Sequence, residues 1–310
     1  EQVVHEYLQW AMCGTPRPKG KFKLYAVEGG TAAMCYIFKS MKTNRLLNAG
    51  DTIALGTPIF TPYLEMPHLE DYDLKIVNIQ STQENRWQFD DAELDKLLDP
   101  KIKAFFLVNP GNPSAVALSA KTIAKIGAII KKRPDLILLT DDVYGTFVPG
   151  FRSLLGAYPY NTIGVYSYSK YFGCTGWRLG VIAVHEDNLF DKLIAQHPEP
   201  VLKKIDKRYS ALTLEPRKMR FIDRIVADSR DVALNHTAGL SLPQQVMMSL
   251  FSIYELMDEK KSYQKACIGI VKKRVYATIE GLGIKVDENP NFDWYYGIID
   301  LEFWLKKYVD

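Results

Sequence analysis

The sequence predicts an α/β fold in which a mostly parallel, mixed sheet is sandwiched between helices. Short apolar runs of strand length recur from residue 24 to residue 169, each reading as a strand buried on both faces. Helix-like segments with their own start and stop signals lie between them, and such alternation is what parallel crossovers require. A hydrophobic fraction of 47% over 310 residues is enough to bury a large core.

In chain order, residues 1–23 read as an N-terminal helix and linker. LYAVE at 24–28 is the first strand, followed by a helix over 31–47. DTIALG at 51–56 and LKIVNI at 74–79 are the next strands, and a helix spans 90–98. IKAFFLVN at 102–109 precedes a helix over 119–132, with Ser119 placed as its N-cap and Pro134 marking its end. LILLTD at 136–141 and TIGVYSYS at 162–169 complete the expected strands. Beyond residue 185 the pattern turns to helical stretches at 186–196, 214–231 and 241–280, and GLGIKVDENPNFDWYYGIIDLEFW at 281–304 reads as the first strands of a second layer. The expected division is therefore a large domain over 24–235, then interdomain helices and the start of a smaller α+β domain over 236–310.

Charge and composition narrow the partners. Thirty-nine basic against thirty-six acidic residues leave +3, with the two signs interspersed, so neither nucleic acid nor an anionic membrane surface is expected. No apolar run approaches the ~20 residues that cross a bilayer. Cys13, Cys35, Cys174 and Cys267 are far apart and form no CxxC pair, a pattern of reduced thiols that points to a cytoplasmic address. His5, His68, His185 and His197 have no metal-ligand spacing, so no metal site is expected.

In open α/β sheets, ligands bind beyond the carboxyl ends of the strands, and residues of chemical interest cluster there. SYSKYFGCTGWRLG at 167–180 puts Lys170 at the mouth of an apolar strand, where an amine loses hydration and needs a partner or a task. Eight residues on, Arg178 offers a fixed positive charge for an anion. TDDVYGTF at 140–147 ends another strand with Asp141, an acid that is costly there unless paired; its neighbour Asp142 is expected only to begin a turn or cap a helix. LVNPGNPSAV at 107–116 sets Asn112 in a proline-flanked turn. VEGGTAAM at 27–34 places Gly29, Gly30 and Thr31 at the start of a helix, whose unpaired amides and dipole favour a phosphate.

These segments, in this order and spacing, resemble the motifs of fold-type I enzymes that use pyridoxal phosphate, the aminotransferase class. The resemblance implies that Lys170 bonds covalently to the cofactor aldehyde. It implies that Ser167, Arg178, Gly29, Gly30 and Thr31 hold the phosphate, and that Asp141 pairs with the protonated ring nitrogen. Asn112 and Tyr144 would bind the phenolic oxygen of the ring, and Phe60, in GTPIFTPY, would lie over the ring. The class has threonine and glycine after the second proline of the asparagine loop; Ser114 and Ala115 stand here, which implies a different loop exit.

A wider likeness, through DDVYGTF to the ALNHTAGLSLPQQVMMSLFSIYEL segment, is to the aspartate 4-decarboxylase branch of that class. It implies conversion of L-aspartate to L-alanine and carbon dioxide, with aminotransferase activity as a side reaction, in a homodimer or larger homo-oligomer. An aspartate or alanine aminotransferase, and a non-catalytic effector-binding module of the same fold, are the alternatives. Asn235, His236 and Thr237 fall where members of the class reach across a dimer interface and could border a neighbouring subunit's site, but His236 reads first as a loop residue with no chemical role. The class clamps the substrate α-carboxylate with an arginine far beyond the lysine, whereas no arginine follows Arg274 here; the chain therefore reads as part of a longer one.

Overall fold

In a computed structural model of the chain, the residues described are 1–232, 239–285, 288–299, 302 and 305–306. Seven strands form one sheet: β1 Phe22–Val27, β2 Thr52–Thr57, β3 Lys75–Gln80, β4 Ile102–Val108, β5 Ile137–Asp141, β6 Thr162–Ser167 and β7 Gly180–His185, in the order β1-β7-β6-β5-β4-β2-β3. Strands β2 to β6 pair in parallel, and β7 lies antiparallel to both β6 and β1. Strands β5, β6 and β7 are buried along their full length, which is why they read as unbroken apolar runs rather than alternating ones. Lys75, Asn78 and Gln80 expose the outer strand β3, a polar border that discourages further pairing.

The register gathers the functional ends. Val108 lies beside Asp141, Asp141 beside Val165, and both Ser167 and Val27 beside Gly180. The carboxyl ends of β1, β4, β5 and β6 thus meet the start of β7 along one edge of the sheet.

Helices cover both faces. Gly29–Thr43 buries Ala33, Met34, Ile37, Phe38 and Met41 in a core that includes Ile53, Leu55, Phe106, Leu139 and Val165. Ala120–Lys132 packs on the opposite face with Phe105, Leu107 and Leu138. Its start is fixed by Ser119, whose Oγ accepts the Thr122 N–H at 3.1 Å, and it stops at Arg133, before Pro134. Gln2–Leu8 is helical and buries Tyr7, whose hydroxyl lies 2.7 Å from that of Tyr166 on β6.

Several elements differ from the sequence reading. Strand β7 and the helix Glu199–Tyr209 are additional elements. The expected helix over 241–280 is two, Leu242–Met257 and Ser262–Gly281, parted at Lys261, which takes φ 52°. The expected helix over 214–231 begins only at Phe221, after a short turn at Pro216–Lys218. Among the described residues of 281–304 no strand forms; Phe292 makes an isolated bridge with Val116, and the segment runs as irregular chain across the strand ends. No helix among the described residues is long and apolar enough to cross a membrane.

Candidate active site

The strand-end motifs open onto one cleft of about 180 Å³, lined by Gly30, Thr31, Phe60, Asn112, Asp141, Tyr144, Ser167, Lys170 and Arg178. Of the expected site residues only Gly29 does not line it; it stands directly behind Arg178.

One end of the cleft is made of backbone and a single guanidinium. Gly29 takes φ +86°, a conformation that L side chains rarely adopt, and a Cβ there would run into the Arg178 guanidinium. Opposite, a Cβ on Gly180 would come within 2.6 Å of the Gly29 Cα, so glycine at both positions lets the turn lie against β7. Arg178, itself left-handed at φ 54°, donates to the carbonyls of Thr175 at 3.1 Å and Glu28 at 3.3 Å. Those bonds hold the guanidinium over the first turn of the Gly29–Thr43 helix, whose amides have no intrahelical acceptors. Ser167 Oγ lies 2.9 Å from Ser169 Oγ and 3.3 Å from the Leu179 carbonyl. Amides, hydroxyls and a fixed cation suit this end to an anion.

The other end is enclosed and acidic. Asp141 is 5% exposed. Its Oδ2 accepts from the Tyr63 hydroxyl at 2.7 Å and its Oδ1 from the Val143 N–H at 3.2 Å. Burial pushes its pKa up to about 6, against the opposing pull of those two bonds and of the Lys170 charge. A carboxylate so placed has no ion-pair partner within salt-bridge distance among the described residues and favours a cationic neighbour. Asn112 Nδ2 approaches the Tyr144 hydroxyl at 3.4 Å, and that hydroxyl lies 2.9 Å from the hydroxyl of Tyr296. Burial above all holds the Tyr144 phenol well above its ordinary range, so it stays neutral, and either hydroxyl of the Tyr144–Tyr296 pair can be the donor. Phe60 sets its edge against Tyr63, with centroids 5.2 Å apart and planes at 88°. Between the two ends stands Lys170, its Nζ 6.0 Å from the centre of the Tyr295 ring.

This donor set suits a flat ring with an anionic tail at one end and a protonated ring nitrogen at the other, within reach of a primary amine. The polarity is built into the fold: the amides and the guanidinium stand at the helix start, the buried acid at the carboxyl terminus of β5.

Sequence reasoning missed Tyr63 and Tyr296. Tyr63 carried a weak signal, lying three residues after Phe60 on the short helix Thr61–Glu65 that Phe60 caps. Tyr296 carried none, being 152 residues from Tyr144. Asp142 begins a turn, its carbonyl accepting the Gly145 N–H at 2.9 Å, but it is no surface cap. Its carboxyl is wholly buried, takes the Thr140 hydroxyl at 2.7 Å and is pushed up to about 8 by desolvation. The loop after Asn112 uses Ala115 at φ 59°, the region glycine occupies freely. Asn235, His236 and Thr237 lie outside the described residues.

The family model for aminotransferase class I and II matches residues 27–214. The chain is 53% identical over 303 residues to the bifunctional aspartate aminotransferase and L-aspartate beta-decarboxylase of a Pseudomonas species, a match covering 97% of this chain and 57% of that protein. The chain thus spans little more than half the length of that relative. It is 32% identical over 149 residues to the aspartate aminotransferase of Pyrococcus abyssi, covering 46% of this chain and 37% of the other. Among solved structures, a Thermus thermophilus aspartate aminotransferase double mutant aligns over 91% of this chain and 61% of its own, with a TM-score of 0.63 and 17% identity. The alanine aminotransferase of Pyrococcus furiosus aligns over 91% and 60%, with a TM-score of 0.64 and 20% identity.

Proposed function

The chain belongs to the aminotransferase class I and II family, and from that premise we propose that it is the cofactor-binding part of a pyridoxal phosphate enzyme that converts L-aspartate to L-alanine and carbon dioxide, with aminotransferase activity beside it. The observation that carries the reading is Lys170 in one cleft with the buried carboxyl of Asp141 and the Gly29–Arg178 anion site. The choice of aspartate and of decarboxylation rests on the Pseudomonas relative, 53% identical over 97% of this chain.

Arg178, Ser167 and the amides of Gly30 and Thr31, with Gly29 leaving room for the guanidinium, would hold the phosphate. Asp141 would hold the proton of the ring nitrogen, Asn112 and Tyr144 the phenolic oxygen, and Phe60 one face of the ring. When bound, the cofactor supplies an aldehyde that bonds to amines and a cationic ring that accepts electrons. The chain's own work is to keep that charge and move protons. Tyr63 and the Val143 amide hold the Asp141 carboxyl in place. Lys170 Nζ would be the base that takes the substrate α-proton and returns it. We further propose that the active species is a cytoplasmic homodimer or larger homo-oligomer.

Borohydride treatment of the intact yellow protein should bleach it and leave the label on Lys170; a label elsewhere refutes the assignment. L-Aspartate supplied without a keto acid should give carbon dioxide and alanine over many turnovers, whereas an aminotransferase alone stops after half a reaction.

A further inference from the structure

The Tyr144 hydroxyl has one proton to give and two lone pairs, and two other groups of the cleft wall, Asn112 and Tyr296, stand beside it. Asn112 Nδ2 stands at 3.4 Å and the Tyr296 hydroxyl at 2.9 Å. Tyr296 is delivered by the irregular segment that crosses the strand ends, and that segment is stitched to the exit of the asparagine loop. The Ala117 N–H donates to the Asn291 carbonyl at 2.8 Å, and the Asp293 N–H to the Ala115 carbonyl at 2.8 Å. Asp293 is wholly buried and turns its Oδ1 to the Tyr295 N–H at 2.7 Å, with the Tyr296 N–H on the same carboxyl. Asn112 and Tyr296 therefore reach Tyr144 from one backbone assembly.

We propose that Tyr296 is a positioning residue: it donates to the Tyr144 hydroxyl and so turns the Tyr144 proton into the cleft, toward the phenolic oxygen of the bound ring. The inference rests on the functional reading above and deepens it. A phenol that accepts a bond donates more strongly, because linked hydrogen bonds polarise one another at low dielectric. Stronger donation stabilises the phenolate most when the lysine-linked nitrogen has lost its proton, so it lowers the pH at which the visible absorbance changes. Tyr296, Asp141 and Asp293 act electrostatically on Tyr144, and Lys170 shares its cleft; replacing Tyr296 by phenylalanine leaves both carboxylates and the lysine in place.

The test is a pH titration of the visible absorbance of the intact holoenzyme. Tyr296→Phe keeps the ring packed on Tyr144 and Tyr295, both at 5.3 Å, and should raise the midpoint by about half a pH unit, with kcat lowered several-fold and KM little changed. In a Tyr144→Phe background the same substitution should move nothing, since the hydroxyl it serves is gone. An unshifted midpoint in Tyr296→Phe, or an equal shift with and without the Tyr144 hydroxyl, overturns the inference while leaving the functional reading intact. A wild-type protein that shows no visible transition with pyridoxal phosphate overturns both.

Discussion

The two ends of the cleft solve opposite problems. At the Gly29–Arg178 end the groups are backbone amides and a cation tied to two carbonyls, and what matters is shape: glycines at 29 and 180 let the chain come close. At the Asp141 end the groups are a buried acid and phenols whose protonation is set by desolvation. The first end is spoiled by adding a methyl group, the second by removing a proton acceptor.

The largest expected effect is at the buried end. Asp141→Asn removes the anion that would keep the ring cationic, and loss of one member of a buried charge pair costs about 3–5 kcal/mol, so turnover should fall by about 10³-fold. Stability of the cofactor-free protein should move the other way. The folded pKa of Asp141 lies at about 6, above the ordinary 3.8, so its stabilising contribution is full below pH 3.8 and lost as pH rises through 6. At pH 7 the carboxylate costs about 3 kcal/mol of stability. Denaturant unfolding of the cofactor-free variant should show a gain of that size at pH 7 that vanishes near pH 4. A loss at pH 7 would contradict the account.

At the open end, Gly29→Ala should weaken pyridoxal phosphate binding by about 10- to 100-fold. The left-handed region costs an L residue about 1–2 kcal/mol, and the new Cβ displaces the Arg178 guanidinium. Equilibrium titration checks it, and competition by inorganic phosphate should weaken in parallel. Unchanged competition would show that the guanidinium does not hold the anion.

Tyr63→Phe sharpens the contrast at smaller scale. Removing the 2.7 Å bond to Asp141 takes away a donor to a charged group, worth about 1.5–3 kcal/mol. The Asp141 pKa should rise from about 6 by about one unit, read by carboxyl NMR of the cofactor-free protein. An equivalent change at the other end, Ser167→Ala, should leave it untouched.

How much of this was legible in the sequence follows from the same contrast. Strands buried on both faces announce themselves as apolar runs, and the motif residues sit directly at their ends, so Lys170, Asp141 and Asn112 could be placed by counting from β6, β5 and β4. Strand β7 is hard to read from sequence because Gly180–His185 begins where the lysine segment ends, with no turn signal of its own between them. The aromatic run Phe292–Tyr296 resembles an alternating strand, but its backbone groups are spent on the Ala115 carbonyl and the Asp293 carboxyl rather than on a ladder, while Asn291 just before it takes the Ala117 N–H. Such pairing links positions nearly 180 residues apart, and no local pattern encodes it.

Ala115 joins the two descriptions, since the loop that carries Asn112 exits through a left-handed residue with a side chain. Its φ of 59° costs an L residue about 1–2 kcal/mol. Glycine escapes that cost but gives back about 0.5–1 kcal/mol through the greater freedom of the unfolded chain. The Ala115 N–H to Gly111 and its carbonyl to Asp293, both 2.8 Å, are backbone bonds that glycine keeps. Ala115→Gly should therefore stabilise by no more than about 1 kcal/mol and leave cofactor affinity unchanged, measured by denaturant unfolding and titration. A marked loss of affinity would mean that the methyl group, wholly buried at this exit, holds the Asn112 loop in register and that packing there outweighs the backbone.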